Sequence, residues 1–403
     1  MEESAWLETI LKRNSDDSSI SKVLSIKTES AVPAGANYAS IISRATLDVI
    51  LRSGRKSKLT LIIKKTHDSE EKVMFLNNFS VFKNEAKFYS DVLTKFEQLM
   101  DDYNDNREKL WCNMIGYKPY TAIVFEDLKA QNFKMADRKK FLDKNHALLV
   151  LNSLGRFHAM GHVLLKQGLV SKEDLMKFRY EMDTPVISKL LECGLKQLCN
   201  VIENDWPDQW NDIATRLRAQ IDVVVRKIKY LSKSVESKFQ TICHGDVWTC
   251  NLMFKYCPYD EKVPVAVKFL DFQEPFVNTN TIDILYFMYI SVLYEVRKRN
   301  YDELLAEYHK SLKSTLTHYG MEADSPTLDE IHSEMKRLKY YGFIMNIIYL
   351  PISVADDHMG LKIENLNEGC DGMAAFPPGM FNGDIFKAAV QPEIRNYHEE
   401  GLF

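Results

Sequence analysis

Residues 241–275 read TICHGDVWTCNLMFKYCPYDEKVPVAVKFLDFQEP. Two apolar runs of strand character lie here, one ending at Cys243 and one at Leu270, and each delivers polar residues into a loop. Asp246 and Asn251 stand five positions apart after the first run, and Asp271 follows the second. An acid that accepts a proton, together with an amide and a second acid that hold metal, are the parts that move a phosphoryl group. Asp and Asn also favour plain turns. The joint pattern, His-Gly-Asp after one strand and Asp-Phe after another, argues for chemistry over capping. Cys243, Cys250 and Cys257 recur evenly beside His244, but six intervening residues match structural zinc spacing poorly.

Upstream, Trp6, Leu7, Ile10 and Leu11 recur at helical spacing and predict a short amphipathic helix. The pattern then turns to alternation in SKVLSIKTES, YASIISRATLDVIL and SKLTLIIKKT, which read as three strands, with Ser53-Gly54 as a turn. Between the first two lies AVPAGANYAS, whose small residues would let a backbone approach a phosphate or merely close a hairpin. Neither G-x-G-x-x-G nor a Walker A pattern occurs. Lys64 ends the apolar run Leu59–Ile63, and a helix is expected over residues 72–99. On it Phe82, Glu85, Ala86, Tyr89, Leu93 and Phe96 share a face. A carboxylate in an apolar stripe needs a cation, and Lys64 is the natural one; a strand lysine paired with a helix glutamate positions nucleotide phosphates in kinases. WCNMIGYKPYTAIVFEDLKA supplies two further strands with a turn at Lys118-Pro119.

From about Asp137 the character is helical. Helices are expected around His158 and over residues 186–204, 210–235, 281–298, 302–319 and 328–350, followed by an irregular segment and a short terminal helix. His158 reads as a packing residue. The apolar runs 284–293 and 340–355 are broken by Ser291, Asn346 and Pro351 and read as buried helices, since a spanning helix needs about 20 apolar residues.

With 403 residues, 45% of them hydrophobic and 27% charged, the chain can bury two or three cores and is neither disordered nor fibrous. Its 52 basic side chains against 56 acidic ones, net −4, argue against non-specific nucleic-acid binding. Seven scattered cysteines suggest a reducing compartment. The acidic start MEESAWLETILKRN lacks a signal-peptide pattern, so a soluble, cytoplasmic protein is expected, with no membrane contact and no obligate protein partner.

HGDVWTCN and LDFQ resemble the signature shared by the aminoglycoside phosphotransferase and choline kinase families. The closer resemblance is to the ecdysteroid kinase-like proteins, abundant in insects, with their CHK kinase-like domain. Their HGD-x-W-x-x-N appears as His244–Asn251, DFQ as Asp271–Gln273, G-x-N-x-A-S as Gly35–Ser40, F-x-x-E-x-x-F-Y as Phe82–Tyr89, and EDL as Glu126–Leu128. The resemblance implies an α+β, two-lobed protein-kinase-like fold. Residues 1–128 would form a nucleotide-binding lobe with a five-stranded, mostly antiparallel sheet, and residues 129–403 a larger, mainly helical lobe. It implies an ATP- and Mg2+-dependent kinase acting on a small-molecule alcohol, an ecdysteroid-like or other apolar polyol. Asp246 would be the base, Asn251 and Asp271 the metal ligands, and Lys64, held by Glu85, the phosphate contact. Gly35, Asn37 and Ser40 would lie against the nucleotide, backbone groups around Glu126 and Leu128 would receive adenine, and Asp283 would brace the catalytic loop. A choline- or aminoglycoside-type acceptor is the alternative, with Asp356-Asp357 and Glu364 as candidate acids; a catalytically inactive binding protein is another. No activation-loop and A-P-E pattern of protein kinases follows DFQ.

Overall fold

The computed structural model describes residues 2–13, 20–32, 40–66, 81–119, 121–176, 185–232, 237–356, 359–367, 369 and 371–403. Gly35, Asn37, Asp357 and the first part of the helix expected from residue 72 lie outside the described residues.

The N-terminal helix α1 (Glu2–Arg13) leads into β1 (Ile20–Ser30), β2 (Ser40–Leu51) and β3 (Lys56–Thr66). A helical run follows, made of α2 (Val81–Lys87), a π-helical turn (Phe88–Leu93) and α3 (Thr94–Asp102), and then β4 (Met114–Lys118) and β5 (Ala122–Glu126). The five strands form one antiparallel sheet in the order β1-β2-β3-β5-β4. Alternation along β5 explains why it is covered on both faces: Val124 packs with Leu7 and Leu11 of α1, whereas Ile123 and Phe125 join the core that includes Tyr89 and Phe96. The sheet is therefore a filling between two amphipathic helical layers, and Lys64 and Glu126 are held on neighbouring strands of it.

Beyond the sheet come β6 (Phe133–Met135) and α4 (Lys144–Lys166). The helix begins at Lys144 and not near residue 137, because the Asp143 carboxylate caps it by accepting the His146 amide at 3.0 Å. It is the one helix among the described residues long and apolar enough to cross a membrane, but 78% of its apolar window is buried within the protein. Next are α5 (Pro185–Asp205), β7 (Thr241–Cys243), β8 (Leu252–Cys257), β9 (Asp260–Phe269) and β10 (Phe276–Asn278). β7 pairs with β10, and β6, β8 and β9 form a three-stranded sheet.

Several helices differ from the sequence pattern. The expected helix 210–235 is two, Asn211–Arg218 and Ile221–Ser232. The expected helix 281–298 breaks after α6 (Thr281–Ser291) and resumes as α7 (Tyr294–His318), which kinks at the non-helical Asn300 (φ −122°, ψ 16°), between the expected helix end at 298 and the expected start at 302. The break has a cause: Ser291 accepts the Leu142 amide on its carbonyl and the Thr249 amide on its hydroxyl, so the chain leaves the helix there to serve two neighbours. The run 328–350 resolves into Leu328–Arg337, Lys339–Ile344 and a π-helical turn Met345–Tyr349, with Pro351 opening a further turn, Leu350–Val354. The terminal helix, Asp384–Glu399, spans 16 residues and is longer than expected; Phe386, Val390, Ile394 and Tyr397 bury one face of it.

Candidate active site

β7 delivers His244, Gly245 and Asp246 into the loop that follows it, and its pairing of Cys243 with Phe276 fixes where they begin. Gly245 has φ +87°, and a Cβ on it would lie 2.1 Å from the Glu274 carbonyl oxygen, so only glycine fits. Asp283, in the first turn of α6, accepts the backbone N–H groups of His244 at 2.6 Å and Gly245 at 3.0 Å. His158 Nε2 lies 3.0 Å from the same carboxylate and its Nδ1 lies 2.8 Å from the Tyr308 hydroxyl, which also accepts from Asn280 at 2.9 Å. His158 is thus a buried link that supports the loop. Burial would raise the Asp283 carboxyl, but the bonds from His158 and the Gly245 amide hold it below its ordinary range.

His244 ties the loop to the second strand. Its Nε2 lies 2.9 Å from the Leu270 carbonyl, so that nitrogen carries the proton, and its Nδ1 accepts the Asp246 amide at 3.2 Å. Burial pushes the imidazole pKa down, consistent with this neutral form. The zinc spacing considered for Cys243, Cys250 and Cys257 does not materialise as a cluster. Among the described residues, the grouped potential ligands are His158, Cys243 and Asp283, all buried, and His158 and Asp283 are committed to the bonds above.

Asn251 donates its side-chain amide to both the carbonyl and the Oδ2 of Asp246, each at 2.8 Å. Its own carbonyl accepts the Leu270 amide at 2.9 Å, and Leu252 pairs with Phe269, so Asn251 and Asp271 leave neighbouring strands side by side. Asp271 sits at φ +64°, uncommon for a residue with a side chain, which turns the backbone sharply as β9 ends. Lys64 Nζ completes the centre: it lies 2.7 Å from Glu85 Oε2 and 2.5 Å from Asp271 Oδ1. Phe272 stacks on Phe88 at 5.1 Å and meets Tyr89 edge-on at 5.7 Å, locking the turn against the helix that carries Glu85.

Five residues nominated from sequence, Lys64, Glu85, Asp246, Asn251 and Asp271, therefore converge. Ser40 is the buried first residue of β2, while Gly35 and Asn37 fall outside the described residues. At the crossover, the Glu126 amide donates to the Asn113 carbonyl at 3.1 Å and is not free for an adenine edge; Leu128 is buried at the start of a 3-10 turn. The crossover is clamped by a pair the sequence did not suggest, Arg44 of β2 with Asp127, at 2.8 and 3.2 Å. Tyr286 of α6 was also missed: its hydroxyl donates to Asp246 Oδ1 at 2.6 Å. The available signal was a tyrosine within the apolar run that follows Asp283, since a buried phenol seeks a partner.

The electrostatics suit proton and phosphate chemistry. Burial drives the Asp246 carboxyl up to about 6; Tyr286 and Asn251 oppose this and Asp271 adds to it. Glu85 is raised to about 7 by burial against the pull of Lys64. Burial disfavours the Lys64 ammonium, but Asp271 and Glu85 outweigh it and hold its pKa above the ordinary value. With Asp271 Oδ1 on Lys64 and the Asn251 amide nitrogen on Asp246, the Asp271 Oδ2 and the Asn251 amide oxygen lie outside these bonds. Such a pair of hard oxygen donors fits Mg2+, which binds through one or two protein ligands plus phosphate oxygens.

No curated protein matches the chain. Among solved structures, the chain aligns with a microcompartment-associated aminopropanol kinase at 10% identity, covering 98% of each chain with a TM-score of 0.42. It aligns with an ethanolamine kinase of Plasmodium vivax at 10% identity, covering 92% of this chain and 83% of that one, TM-score 0.39. A GDP complex of wild-type aminoglycoside 2'-phosphotransferase-IIIa aligns at 10% identity, covering 86% and 97%, TM-score 0.34. Residues 34–321, which carry β2 to β5 of the sheet, the crossover and both arms of the candidate site, match the model of the ecdysteroid kinase-like family, and the chain belongs to that family.

Proposed function

We propose that the protein transfers the γ-phosphoryl group of ATP to an alcohol hydroxyl of a small molecule, an ecdysteroid-like or other apolar polyol being the first candidate. The convergence of Lys64, Glu85, Asp246, Asn251 and Asp271 on one cleft carries this reading. In it, Lys64 holds the α and β phosphates and Glu85 keeps the ammonium in place. Asp246 orients the acceptor hydroxyl and takes its proton as the oxygen attacks phosphorus. Asn251 and Asp271 would hold Mg2+, which would supply positive charge to offset that developing on the phosphates in transfer. None of the six described cysteines is in a disulfide, which supports the cytoplasmic setting expected from sequence.

A second acceptor class has one observation behind it. The Glu274 carboxyl has no hydrogen-bond or ion-pair partner among the described residues. Burial first, then Asp246 and Asp271, raise its pKa well above normal. A cationic amino alcohol would relieve that crowding. Asp356 is less available for this role, being paired with Lys139. The test is an untargeted comparison of metabolite extracts incubated with ATP, Mg2+ and either wild-type protein or Asp246→Asn, followed by purified ecdysteroids and amino alcohols with γ-labelled ATP. Labelled ecdysteroid supports the first class and labelled amino alcohol the second; no label in any acceptor removes the proposal.

A further inference from the structure

Asp246 has both carboxylate oxygens engaged, and by different elements. Oδ2 accepts from Asn251 on its own loop, whereas Oδ1 accepts from Tyr286, which stands one helical turn beyond Asp283 on α6. One helix thus fixes the catalytic loop twice, through its backbone at His244 and Gly245 and through its reactive side chain at Asp246. Tyr286 is buried, and its ring meets that of Tyr349 edge-on at 5.9 Å. Tyr349 ends the π-helical turn Met345–Tyr349; Met345–Ile348 are buried while Tyr349 is partly open. Such turns often reorient a side chain toward a functional site. The phenol is therefore wedged between α6 and the π-helical turn, with its hydroxyl at the base.

We infer that Tyr286 is the positioning residue of the catalytic carboxylate, holding Asp246 in the one rotation that points a free lone pair at the acceptor hydroxyl. The inference rests on the reading of Asp246 as the base. A carboxylate held only at Oδ2 can swing about its Cβ–Cγ bond, so that fewer collisions find the lone pair aligned with the proton it must take. Near-attack geometry is the quantity lost, and substrate binding is not. Burial and the Asp246 charge keep the Tyr286 hydroxyl protonated, so it acts as a fixed donor and does not shuttle a proton.

The test compares wild type, Tyr286→Phe and a protein carrying 4-aminophenylalanine at position 286, all as full chains, with the acceptor found in the extract screen. Tyr286→Phe keeps the ring and its packing, and it should lower kcat by about 10- to 100-fold, the range for losing a hydrogen bond to a charged group, with KM for ATP and acceptor unchanged. The amino analogue restores a donor at the same place and should recover most of that loss. A downfield Tyr286 hydroxyl proton resonance should be present in wild type and absent in both Tyr286→Phe and Asp246→Asn. An active wild type with an equally active Tyr286→Phe would overturn this inference alone. A loss that appears in KM, or one the amino analogue fails to recover, would also overturn it, leaving Tyr286 as a packing residue. A wild type that transfers phosphate to no acceptor would remove the proposed function, and the positioning role with it, whether or not the resonance is seen.

Discussion

Lys64 and Asp271, 207 residues apart in the chain, meet at 2.5 Å. The contact joins a strand of the N-terminal sheet to the turn after β9, so the two lobes share one ion pair at the centre of the candidate site. With Glu85 at 2.7 Å on the same ammonium, Lys64 compensates two carboxylates. Lys64→Ala leaves a buried Glu85 without its cation, and removing one partner of a buried pair costs about 3–5 kcal/mol. Chemical denaturation at neutral pH should show a loss of that order. Glu85 is raised toward 7, so the variant should recover stability as pH falls and the carboxyl takes up a proton. Equal destabilisation at pH 5 and pH 8 would count against Glu85 as the stranded charge.

Asp246→Asn removes the proton acceptor while keeping the bonding shape. Turnover should fall by at least about 10³-fold, roughly 4 kcal/mol in barrier height, with ATP affinity nearly intact. Steady-state kinetics and ATP calorimetry on the same preparation separate the two. A variant that turns over like wild type would show that Asp246 is not the base.

Asp246 must be ionised to act, and burial places its carboxyl near 6. kcat/KM should therefore be maximal above pH 7 and fall tenfold per unit as pH drops below about 6, a limb that reports the free enzyme's base. A rate independent of pH between 5 and 8 contradicts the assignment. Asp271→Asn should act differently, abolishing the magnesium-dependent part of the thermal stabilisation given by ATP.

Away from the cleft, Asp105 accepts from Arg107 at 2.6 Å and Tyr319 at 2.8 Å, with Arg156 at 3.5 Å. Burial would raise this carboxyl, but Arg107, Tyr319 and Arg156 hold it well below its ordinary range. A depressed folded pKa contributes stability above the unfolded value, near 4, and loses it as pH falls further. Asp105→Asn should thus be clearly less stable than wild type at pH 7, and the gap in urea midpoint should narrow steadily below pH 4. A gap that stays constant to pH 3 would rule out the ion cluster as its source.

Gly245→Ala tests the loop directly. A Cβ there meets the Glu274 carbonyl at 2.1 Å in a left-handed backbone, so the β7–β10 corner must open. Loss of both activity and several degrees of thermal midpoint is expected; an active, equally stable variant would mean the corner is looser than its geometry implies.

What could be read from sequence followed short-range physics. Alternation along β2, β3 and β5 gives the sheet, and the buried charge of Glu85 on an apolar helix face asks for Lys64. The motif around Asp246 marks the loop because its residues are neighbours in the chain. Tyr286, His158 and Arg44 were invisible as functional partners because each acts across 40 to 125 positions, through bonds to Asp246, Asp283 and Asp127. The helix boundary at Ser291 was lost for a similar reason: the amides of Leu142 and Thr249 set it, and neither is near in sequence. The three-residue strands β6, β7 and β10 are too short to display a period, and β7 was legible as the apolar run just before the His-Gly-Asp motif.

The β8–β9 hairpin separates Asn251 from Asp271, yet Leu252 faces Phe269 at its base and Tyr259 is almost fully exposed at its tip. Chain length between the two residues is therefore uncoupled from the distance between them. Residues added at the tip would lengthen a protruding ribbon without altering the mouth of the cleft. Pro258-Tyr259 is accordingly a place to graft an affinity tag or a fluorophore into an active protein, and a motif search for such sites should let the gap between the two residues float.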